Sequence, residues 1–150
     1  MTKIIIAADH AGFALKQTLI EYLEQRGHEC HDFGTDSAEP VDYPDFAHAV
    51  ASAVNNGDVG ILICGTGIGM SIAANRHSTI RCAVAVTPRM AELARQHNAA
   101  NVLALGARLI DEEHAKKIVD IFLDTEYSGG RHDARIAKID LNVGFDSGQP

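Results

Sequence analysis

A cysteine followed by a glycine-rich turn is the stretch of this sequence best suited to chemistry. Residues 59–64 form a short apolar run that ends at Cys64, and Gly65-Thr66-Gly67-Ile68-Gly69 follows, directly before helix-compatible residues. A buried strand, a glycine turn and a helix N-terminus direct several backbone N–H groups at one point, where an anion or a developing oxyanion can bind. A helix N-terminus also favours the thiolate of a nearby cysteine, so Cys64 is a candidate base or nucleophile.

Simpler interpretations of this stretch stay open on these residues alone. Many strand-to-helix turns contain glycine for close packing, and a cysteine that ends a buried strand often acts as a small apolar residue. Two common phosphate motifs are excluded, because the fingerprint G-x-G-x-x-G needs glycine where Met70 stands and no Gly-Lys-Ser/Thr of a P-loop follows. The role of Cys64 therefore depends on what the rest of the chain brings beside it.

Composition limits the class of protein. A chain of 150 residues with 46% hydrophobic and 22% charged residues is typical of one soluble globular domain. The net charge of −7, without a basic tract, argues against a nucleic-acid partner. No apolar run approaches a membrane span, and the N-terminus enters a strand without a signal peptide. Cys30, Cys64 and Cys82 lie far apart and form no C-x-x-C pair, which indicates a reducing compartment without disulfides or a zinc site. We therefore expect a cytoplasmic protein.

Strand-like and helix-like segments alternate along the whole chain. Strands are predicted at residues 3–8, 28–33, 59–64, 80–86 and 101–105, and helices at 13–26, 44–56, 70–75, 88–98, 111–122 and 131–141. This alternation predicts an α/β fold with three layers, a Rossmann-like (flavodoxin-like) parallel sheet of strand order 2-1-3-4-5 with helices on both faces. We expect a single domain over residues 1–150, in which residues 142–150 form a mobile tail or pack on a neighbouring molecule.

The predicted topology brings distant polar residues together. In such sheets ligands bind outside the carboxyl ends of the strands, at the switch point between the first and third strands. Asp9 and His10 follow the first strand, and Cys64 ends the third. We therefore expect Asp9, His10 and the Cys64–Gly69 turn to share one site, although more than fifty residues separate them in sequence.

Five motifs that stand in one order resemble a known family. They are A-D-H-A-G-F at 8–13, D-Y-P-D-F at 42–46, C-G-T-G-I-G at 64–69, R-Q-H-N at 95–98 and G-G-R-H at 129–132. Over essentially residues 1–141 the chain resembles the ribose-5-phosphate isomerase B family, which includes galactose-6-phosphate and allose-6-phosphate isomerases. The resemblance implies aldose–ketose isomerisation of a small-molecule sugar phosphate in carbohydrate metabolism, without a metal or another cofactor. It also implies a homodimer or homotetramer whose active sites lie at the subunit interface.

The resemblance assigns the central proton transfer to Cys64. Aldose–ketose isomerisation moves a proton between adjacent carbons through an enediolate, so it needs a base and positive potential where oxygen becomes negative. Cys64 is implied as the base, the amides of Gly65, Gly67, Ile68 and Gly69 as the enediolate cradle, and Thr66 as a further hydroxyl. One branch of the family has glutamate at the position of Met70 and lacks the cysteine, so this chain resembles the cysteine branch.

Ring opening and phosphate binding are assigned in the same way. His97 is implied as the ring-opening acid, and a histidine exchanges protons readily near neutral pH. The other implied substrate contacts, of which Asp9 is also catalytic, are Asp9, His10, Tyr43, Ser71, Asn98, Arg108, Arg131, His132 and Arg135. Taken without the family, His97 is more simply a histidine favoured by a helix C-terminus. Arg131 and Arg135, four residues apart on a predicted helix, are likewise more simply a solvated basic face.

The expected function is interconversion of ribose 5-phosphate and ribulose 5-phosphate, a reaction of the pentose phosphate pathway. A 6-phosphohexose isomerase of the same family is the first alternative, since it differs mainly in pocket depth. The second is a non-catalytic module for a phosphorylated ligand, which has no use for Cys64, His97 and Asp9 together. No metal site is expected, because the other histidines lie on different elements without H-x-x-x-H spacing, namely His28, His31, His48, His77 and His114.

Overall fold

The computed structural model describes residues 1–141 and places every strand of that range in one parallel sheet. The strands are β1 (Lys3–Ala8), β2 (Glu29–Asp32), β3 (Val59–Cys64), β4 (Cys82–Val84) and β5 (Val102–Gly106). The helices are α1 (Phe13–Gln25), α2 (Tyr43–Ala53), α3 (Ile68–Ala74), α4 (Pro88–Asn98), α5 (Glu112–Asp124) and α6 (His132–Ile136). The predicted Rossmann-like class is confirmed. The tail predicted at residues 142–150 lies outside the described residues.

The strand order is β2-β1-β3-β5-β4, so the predicted order 2-1-3-4-5 is wrong for its last two strands. β5 pairs with β3, from Gly60 opposite Val102 to Cys64 opposite Gly106, and β4 pairs only with β5. Burial explains this exchange, because β5 is buried throughout whereas the three residues of β4 are only half-buried and suit an edge. As a result, the loop after β5 lies beside the turn that follows Cys64.

Helices cover both faces of the sheet and make two apolar layers. Successive side chains of a strand point to opposite faces, so Ile4 and Ile6 of β1 pack with α1, α4 and α5, whereas Ile5 and Ala7 pack with α2 and α3. The strands are therefore buried on both sides, as their nearly continuous apolar sequences predict. This core fixes the strand ends to which the polar residues are attached.

Two of the predicted helix starts are confirmed by their caps. The hydroxyl oxygen of Thr87 accepts a hydrogen bond from the amide of Met90, and Asp111 accepts one from the amide of His114. The last helix is shorter than predicted, since α6 covers five residues rather than 131–141. None of its residues is buried, so no packing extends the helix beyond Ile136.

A buried lysine anchors the loop between β2 and α2. Nζ of Lys16, whose side chain is 0% exposed, donates to both carboxylate oxygens of Asp32 at 2.6 and 2.7 Å. Oδ1 of Asp32 also accepts from the amide of Gly34 at 2.9 Å. The ion pair thus fixes the start of a loop whose far end, at Val41, contacts His10 of the predicted site.

Asp32→Asn is expected to destabilise the protein, because it leaves the buried ammonium group of Lys16 without a counter-charge. Breaking a fully buried pair costs about 3–5 kcal/mol, and since Asp32 reaches solvent we expect about 2 kcal/mol. Lys16→Met replaces the buried ammonium side chain with an uncharged one of similar length and is the matched control. Urea denaturation should show a clear loss of unfolding free energy for Asp32→Asn and a smaller one for Lys16→Met. The reverse ranking would contradict this role for the pair.

Candidate active site

One group of predicted site residues lies at the carboxyl edge of the sheet, and we call it the strand-end half. It consists of Asp9, His10, Tyr43, Cys64, Gly65, Thr66, Gly67, Ile68, Gly69, Ser71 and Arg108. β1 and β3 are neighbours, with Ala8 opposite Ile63, and the amide of Asp9 donates to the carbonyl of Ile63 at 3.1 Å. Asp9 and Cys64 therefore follow adjacent residues of paired strands, as the sequence predicts.

Cys64 is held by the turn that follows it. Its side chain is buried, and Sγ accepts a hydrogen bond from the amide of Gly67 at 3.1 Å. Gly67 has a φ of 80°, a left-handed conformation that favours glycine, and α3 begins at the next residue. An N–H donor and the N-terminus of a helix both stabilise a thiolate. The geometry therefore suits Cys64 as a base.

Two of the four amides predicted for the enediolate cradle form hydrogen bonds within the turn itself. The amide of Gly67 bonds to the sulfur of Cys64, and the amide of Ile68 bonds to Oγ1 of Thr66 at 3.2 Å. The amides of Gly69 and Met70 lie in the first turn of α3, where helical geometry supplies no intrahelical acceptor. The amides of Gly65 and Thr66 also donate to no acceptor within residues 1–141, so four N–H groups of the turn remain for a developing oxyanion.

Asp9 and His10 each keep one polar atom available for a ligand. Oδ1 of Asp9 accepts from the amides of Ala11 and Gly12 at 2.9 and 3.2 Å, which leaves Oδ2 without a partner within residues 1–141. Nδ1 of His10 accepts from the amide of Val41 at 3.1 Å, so a neutral His10 carries its proton on Nε2. Asp9 thus offers an acceptor beside Cys64, and His10 offers a donor.

Tyr43 and Arg108 close over the glycine turn from two sides. A Cβ atom built on Gly69 would lie 2.5 Å from Cε1 of Tyr43, and one built on Gly65 would lie 2.9 Å from Nη1 of Arg108. The amide of Arg108 also donates to the carbonyl of Gly65 at 3.0 Å. A tyrosine ring and a guanidinium group therefore border the turn, in positions to contact a sugar and its phosphate.

Gly69→Ala is expected to displace the ring of Tyr43, because the new methyl group and the ring cannot occupy the same space. Tyr43 is exposed and its ring can move, so we expect little change in melting temperature. A misplaced contact residue can cost up to about a hundredfold in rate, and we expect roughly a tenfold loss of kcat/KM. Tyr43→Phe is the matched control for the hydroxyl. Unchanged kinetics for Gly69→Ala would mean that Tyr43 does not contact the substrate.

The remaining predicted residues lie at the amino edge of the sheet, and we call them the α4–α6 half. They are His97, Asn98, Arg131, His132 and Arg135. The α4 helix runs back from the carboxyl edge, and the carbonyl of Asn98 accepts a hydrogen bond from Nε of Arg81, the residue before β4. The rings of His97 and His132 stack, with centroids 4.4 Å apart and planes 19° apart, so α6 lies against the end of α4.

The α4–α6 half is electropositive. Partial burial lowers the pKa of His132, and the nearby His97, Arg131 and Arg135 lower it further, while Asp133 opposes them. The two arginines are exposed and form no ion pair within the described residues. Two free guanidinium groups beside a histidine are suited to bind the dianion of a phosphate monoester.

One chain does not bring the two halves together. β5 alone has five residues, and at about 3.3 Å per residue its length separates the two edges by roughly 16 Å. Within one chain, His97 therefore lies at the opposite edge of the sheet from Asp9, His10 and Tyr43, which is compatible with the expectation of a site at a subunit interface. A site that contains both halves requires a second copy of the chain.

Two arginines that the sequence analysis left without a role hold the end of α4. Nε of Arg81 donates to the carbonyls of Asn98 and Ala99, and Nη1 of Arg95 donates to the carbonyl of Ala100 at 2.6 Å. Arg95 belongs to the R-Q-H-N motif, so the sequence did contain a pattern that could have pointed to it. Arg81 precedes a short edge strand, and no local pattern marks it.

Residues 1–141 hold neither a group of metal ligands nor a helix suited to span a membrane. Within that range no three His, Cys, Asp or Glu side chains are grouped as a metal ion would require. The helices of the same range include none that is long and apolar enough to cross a lipid bilayer.

Known proteins resemble this chain over nearly its whole length. The family model for ribose/galactose isomerase matches residues 4–139. Ribose-5-phosphate isomerase B of Escherichia coli (strain K12) is 51% identical over 141 residues, which cover 93% of this chain and 95% of that protein. A ribose 5-phosphate isomerase structure from Thermotoga maritima has a TM-score of 0.91 at 55% identity, covering 93% of this chain and 97% of the other. The Mycoplasma genitalium enzyme with bound ribulose-5-phosphate has a TM-score of 0.89 at 44% identity, with coverages of 92% and 93%.

Fold and site together define a Rossmann-like α/β enzyme of the isomerase class. Its glycine turn, Cys64 and Asp9 lie at the carboxyl edge of a parallel sheet, where enzymes of this architecture bind small ligands. The chain belongs to the ribose/galactose isomerase family.

Proposed function

We propose that the protein interconverts ribose 5-phosphate and ribulose 5-phosphate. The observation that carries this proposal is the buried thiol of Cys64, which accepts from the Gly67 amide at the end of β3, next to the strand end that carries Asp9. A base and an adjacent acid–base group at a helix N-terminus are what an enediolate reaction needs. The Escherichia coli and Mycoplasma genitalium relatives, named for this reaction and for a bound product, support the same assignment.

The proposed reaction moves one proton between two carbons. The Cys64 thiolate takes the proton from C2 of the open-chain aldose, and the electron pair of that bond forms the C1–C2 double bond. Charge develops on O1, where the free amides of Gly69 and Met70 and the hydroxyl of Thr66 stabilise it. Asp9 passes the proton of the C2 hydroxyl to O1, which moves the negative charge to O2. The electron pair of the C1–C2 double bond then takes the proton of the thiol onto C1, and the charge on O2 forms the ketone at C2.

The α4–α6 half of a second copy completes the proposed site. Arg131 and Arg135 of that copy, with Arg108 of the first, bind the phosphate, and His132 lies beside it. Histidine is the side chain best suited to proton exchange at neutral pH, so His97 protonates the ring oxygen during ring opening. Asn98, the neighbour of His97, contacts a sugar hydroxyl.

Exposed apolar side chains around the strand-end half support assembly into a homodimer or a homotetramer. Ile68 and Ile72 lie one turn apart on α3 and are 54% and 55% exposed, and Leu109, next to Arg108, is 57% exposed. Apolar side chains grouped at a surface typically mark a protein interface. A second chain seated there would cover them and, by two-fold symmetry, would make two equivalent sites.

A cytoplasmic location is part of the same proposal. The described residues include all three cysteines, and each is a free thiol. Free thiols persist in reducing compartments, where disulfides are rare.

A coupled assay on five- and six-carbon aldose phosphates tests the proposed function. With EDTA present, ribose 5-phosphate should be converted to ribulose 5-phosphate, and allose 6-phosphate and galactose 6-phosphate should react more slowly. Unphosphorylated ribose should be a poor substrate, because each lost charge-assisted hydrogen bond costs about 1.5–3 kcal/mol. Faster turnover of a six-carbon substrate would favour the 6-phosphohexose isomerase instead. No turnover of any of these sugars would favour the binding module.

A further inference from the structure

A polar cavity lies at the amino edge of the sheet, away from the strand-end half. Its volume is about 540 Å³, and it lies between the 54–58 loop before β3, Thr79 and Arg81 before β4, and Arg95 and Ala99 at the end of α4. Cavities that hold small metabolites measure about 300–1,000 Å³. None of the residues in the proposed catalytic or phosphate-binding set lines it. The cavity therefore needs an explanation of its own.

Two arginines form one wall of this cavity. Arg81 donates through Nε to the carbonyls of Asn98 and Ala99 at 3.1 and 3.0 Å, and Arg95 donates through Nη1 to the carbonyl of Ala100 at 2.6 Å. These bonds cap the C-terminus of α4, which explains why cations lie there. Neither guanidinium group forms an ion pair with a carboxylate within residues 1–141.

Each of the two guanidinium groups keeps donors for a ligand. Nη2 of Arg81 and Nη2 of Arg95 have no hydrogen-bond partner among the described residues. Every buried side-chain nitrogen and oxygen of that range has a partner, so these two atoms remain accessible. Burial lowers the pKa of Arg95, and the positive charge of Arg81 lowers it further. The two cations therefore repel each other, and an anion between them would relieve that repulsion.

The 54–58 loop forms the opposite wall. Asp58 accepts from the amide of Asn55 through Oδ2 at 3.0 Å, and its own amide donates to the carbonyl of Asn55. The amides of Asn56 and Gly57 have no partner within the described residues. Asp58 is the carboxylate that borders the cavity, against two arginines. The cavity is thus locally positive on a chain whose net charge is −7.

We propose that this cavity binds a phosphate group, either as free phosphate or on a small phosphorylated metabolite. Forked guanidinium donors and backbone amides without another hydrogen-bond partner are groups that bind phosphate in proteins. The site is distinct from the phosphate contacts of the proposed function, which use Arg108, Arg131 and Arg135. The cavity lies close to His97, because Arg95 and Ala99, two residues before and two residues after His97, both line it.

Phosphate titration of charge variants tests this site. The background is the full chain with Arg108→Ala, Arg131→Ala and Arg135→Ala, which lacks the phosphate contacts proposed for the active site. Inorganic phosphate and glycerol 2-phosphate are titrated separately by calorimetry, and the tighter ligand identifies the source of the phosphate group. One unit of charge near a bound anion changes its affinity by about three- to tenfold. Asp58→Asn should therefore tighten binding by that factor, and Asn56→Asp should weaken it.

Two further variants complete the experiment. Arg81→Gln removes a main donor and should weaken binding by at least about tenfold. Glu21→Gln makes the same charge change as Asp58→Asn at an exposed position of α1, and should change affinity by less than about twofold because salt screens remote charges. If Arg81→Gln does not fold, the pair Asp58→Asn and Asn56→Asp decides, since both keep the shape of the loop.

Saturable binding that follows these signs supports the proposal. No saturable binding at millimolar phosphate overturns it, and so do Asp58→Asn and Asn56→Asp affinities that match that of Glu21→Gln. The protein with its arginines intact should bind two phosphates per chain. If it binds one, and that one follows the variants at 56 and 58, the active-site assignment fails while the cavity stands.

Discussion

Replacement of Cys64 by alanine is expected to lower kcat by about 10²–10⁴-fold, the rate contribution that is typical of a general base. KM should stay nearly unchanged. The thiol is buried at a strand end and accepts from the Gly67 amide, so its removal takes away a proton acceptor without opening the binding surface. Cys64→Ser keeps the shape of the side chain and should lose a comparable factor, because a hydroxyl is a far weaker acid than a thiol.

The other two cysteines supply a matched control for this prediction. Burial raises the pKa of the Cys30 thiol to about 11 and that of Cys82 to about 12, so both remain protonated at neutral pH. Cys30→Ala should keep full activity, and iodoacetamide should alkylate Cys64 first, with the substrate protecting it. A loss of less than about tenfold for Cys64→Ala would assign the base to another residue.

The double variant Arg131→Ala/Arg135→Ala is expected to lose about 10²–10⁴-fold in kcat/KM for ribose 5-phosphate, because each charge-assisted hydrogen bond to phosphate contributes about 1.5–3 kcal/mol. Both side chains are exposed and α6 buries none of its residues, so the melting temperature should change little. Lys138→Ala removes an exposed cation just beyond α6 and is the matched control. Activity on unphosphorylated ribose should be equal in the double variant and the wild type. A similar loss of activity on both substrates would mean that Arg131 and Arg135 do not bind the phosphate group.

Most of the strand-end half could be predicted from sequence because its residues follow strands. The ends of β1 and β3 meet at the switch point of any sheet with β1 beside β3, so Asp9, His10 and Cys64 come together whatever the order of the outer strands. The order of β4 and β5 could not be predicted, since alternation along the chain does not say which strand is inserted beside β3. The contact between Arg108 and Gly65 follows from that order and became visible only with it.

The α4–α6 half shows the limit of reasoning from one chain. The motifs around His97 and Arg131 indicate a family whose sites lie at a subunit interface, but they do not say which residues each chain contributes. The α4 helix, however, runs back along the sheet and carries His97 to the amino edge, where the ring of His132 stacks on it. Residues that act together can therefore lie far apart within one chain when the site belongs to an assembly.

Mixing two inactive variants tests the central claim, that two chains share each active site. Cys64→Ala and Arg131→Ala/Arg135→Ala are unfolded together and refolded, and the presence of heterodimers is verified by native mass spectrometry. If the α4–α6 half serves the partner, each heterodimer has one site with both defects and one intact site. Random pairing makes half of the dimers mixed, so roughly a quarter of wild-type activity should return. If each chain serves its own site, every site keeps one defect, and a sample that contains heterodimers but recovers no activity would contradict the shared site.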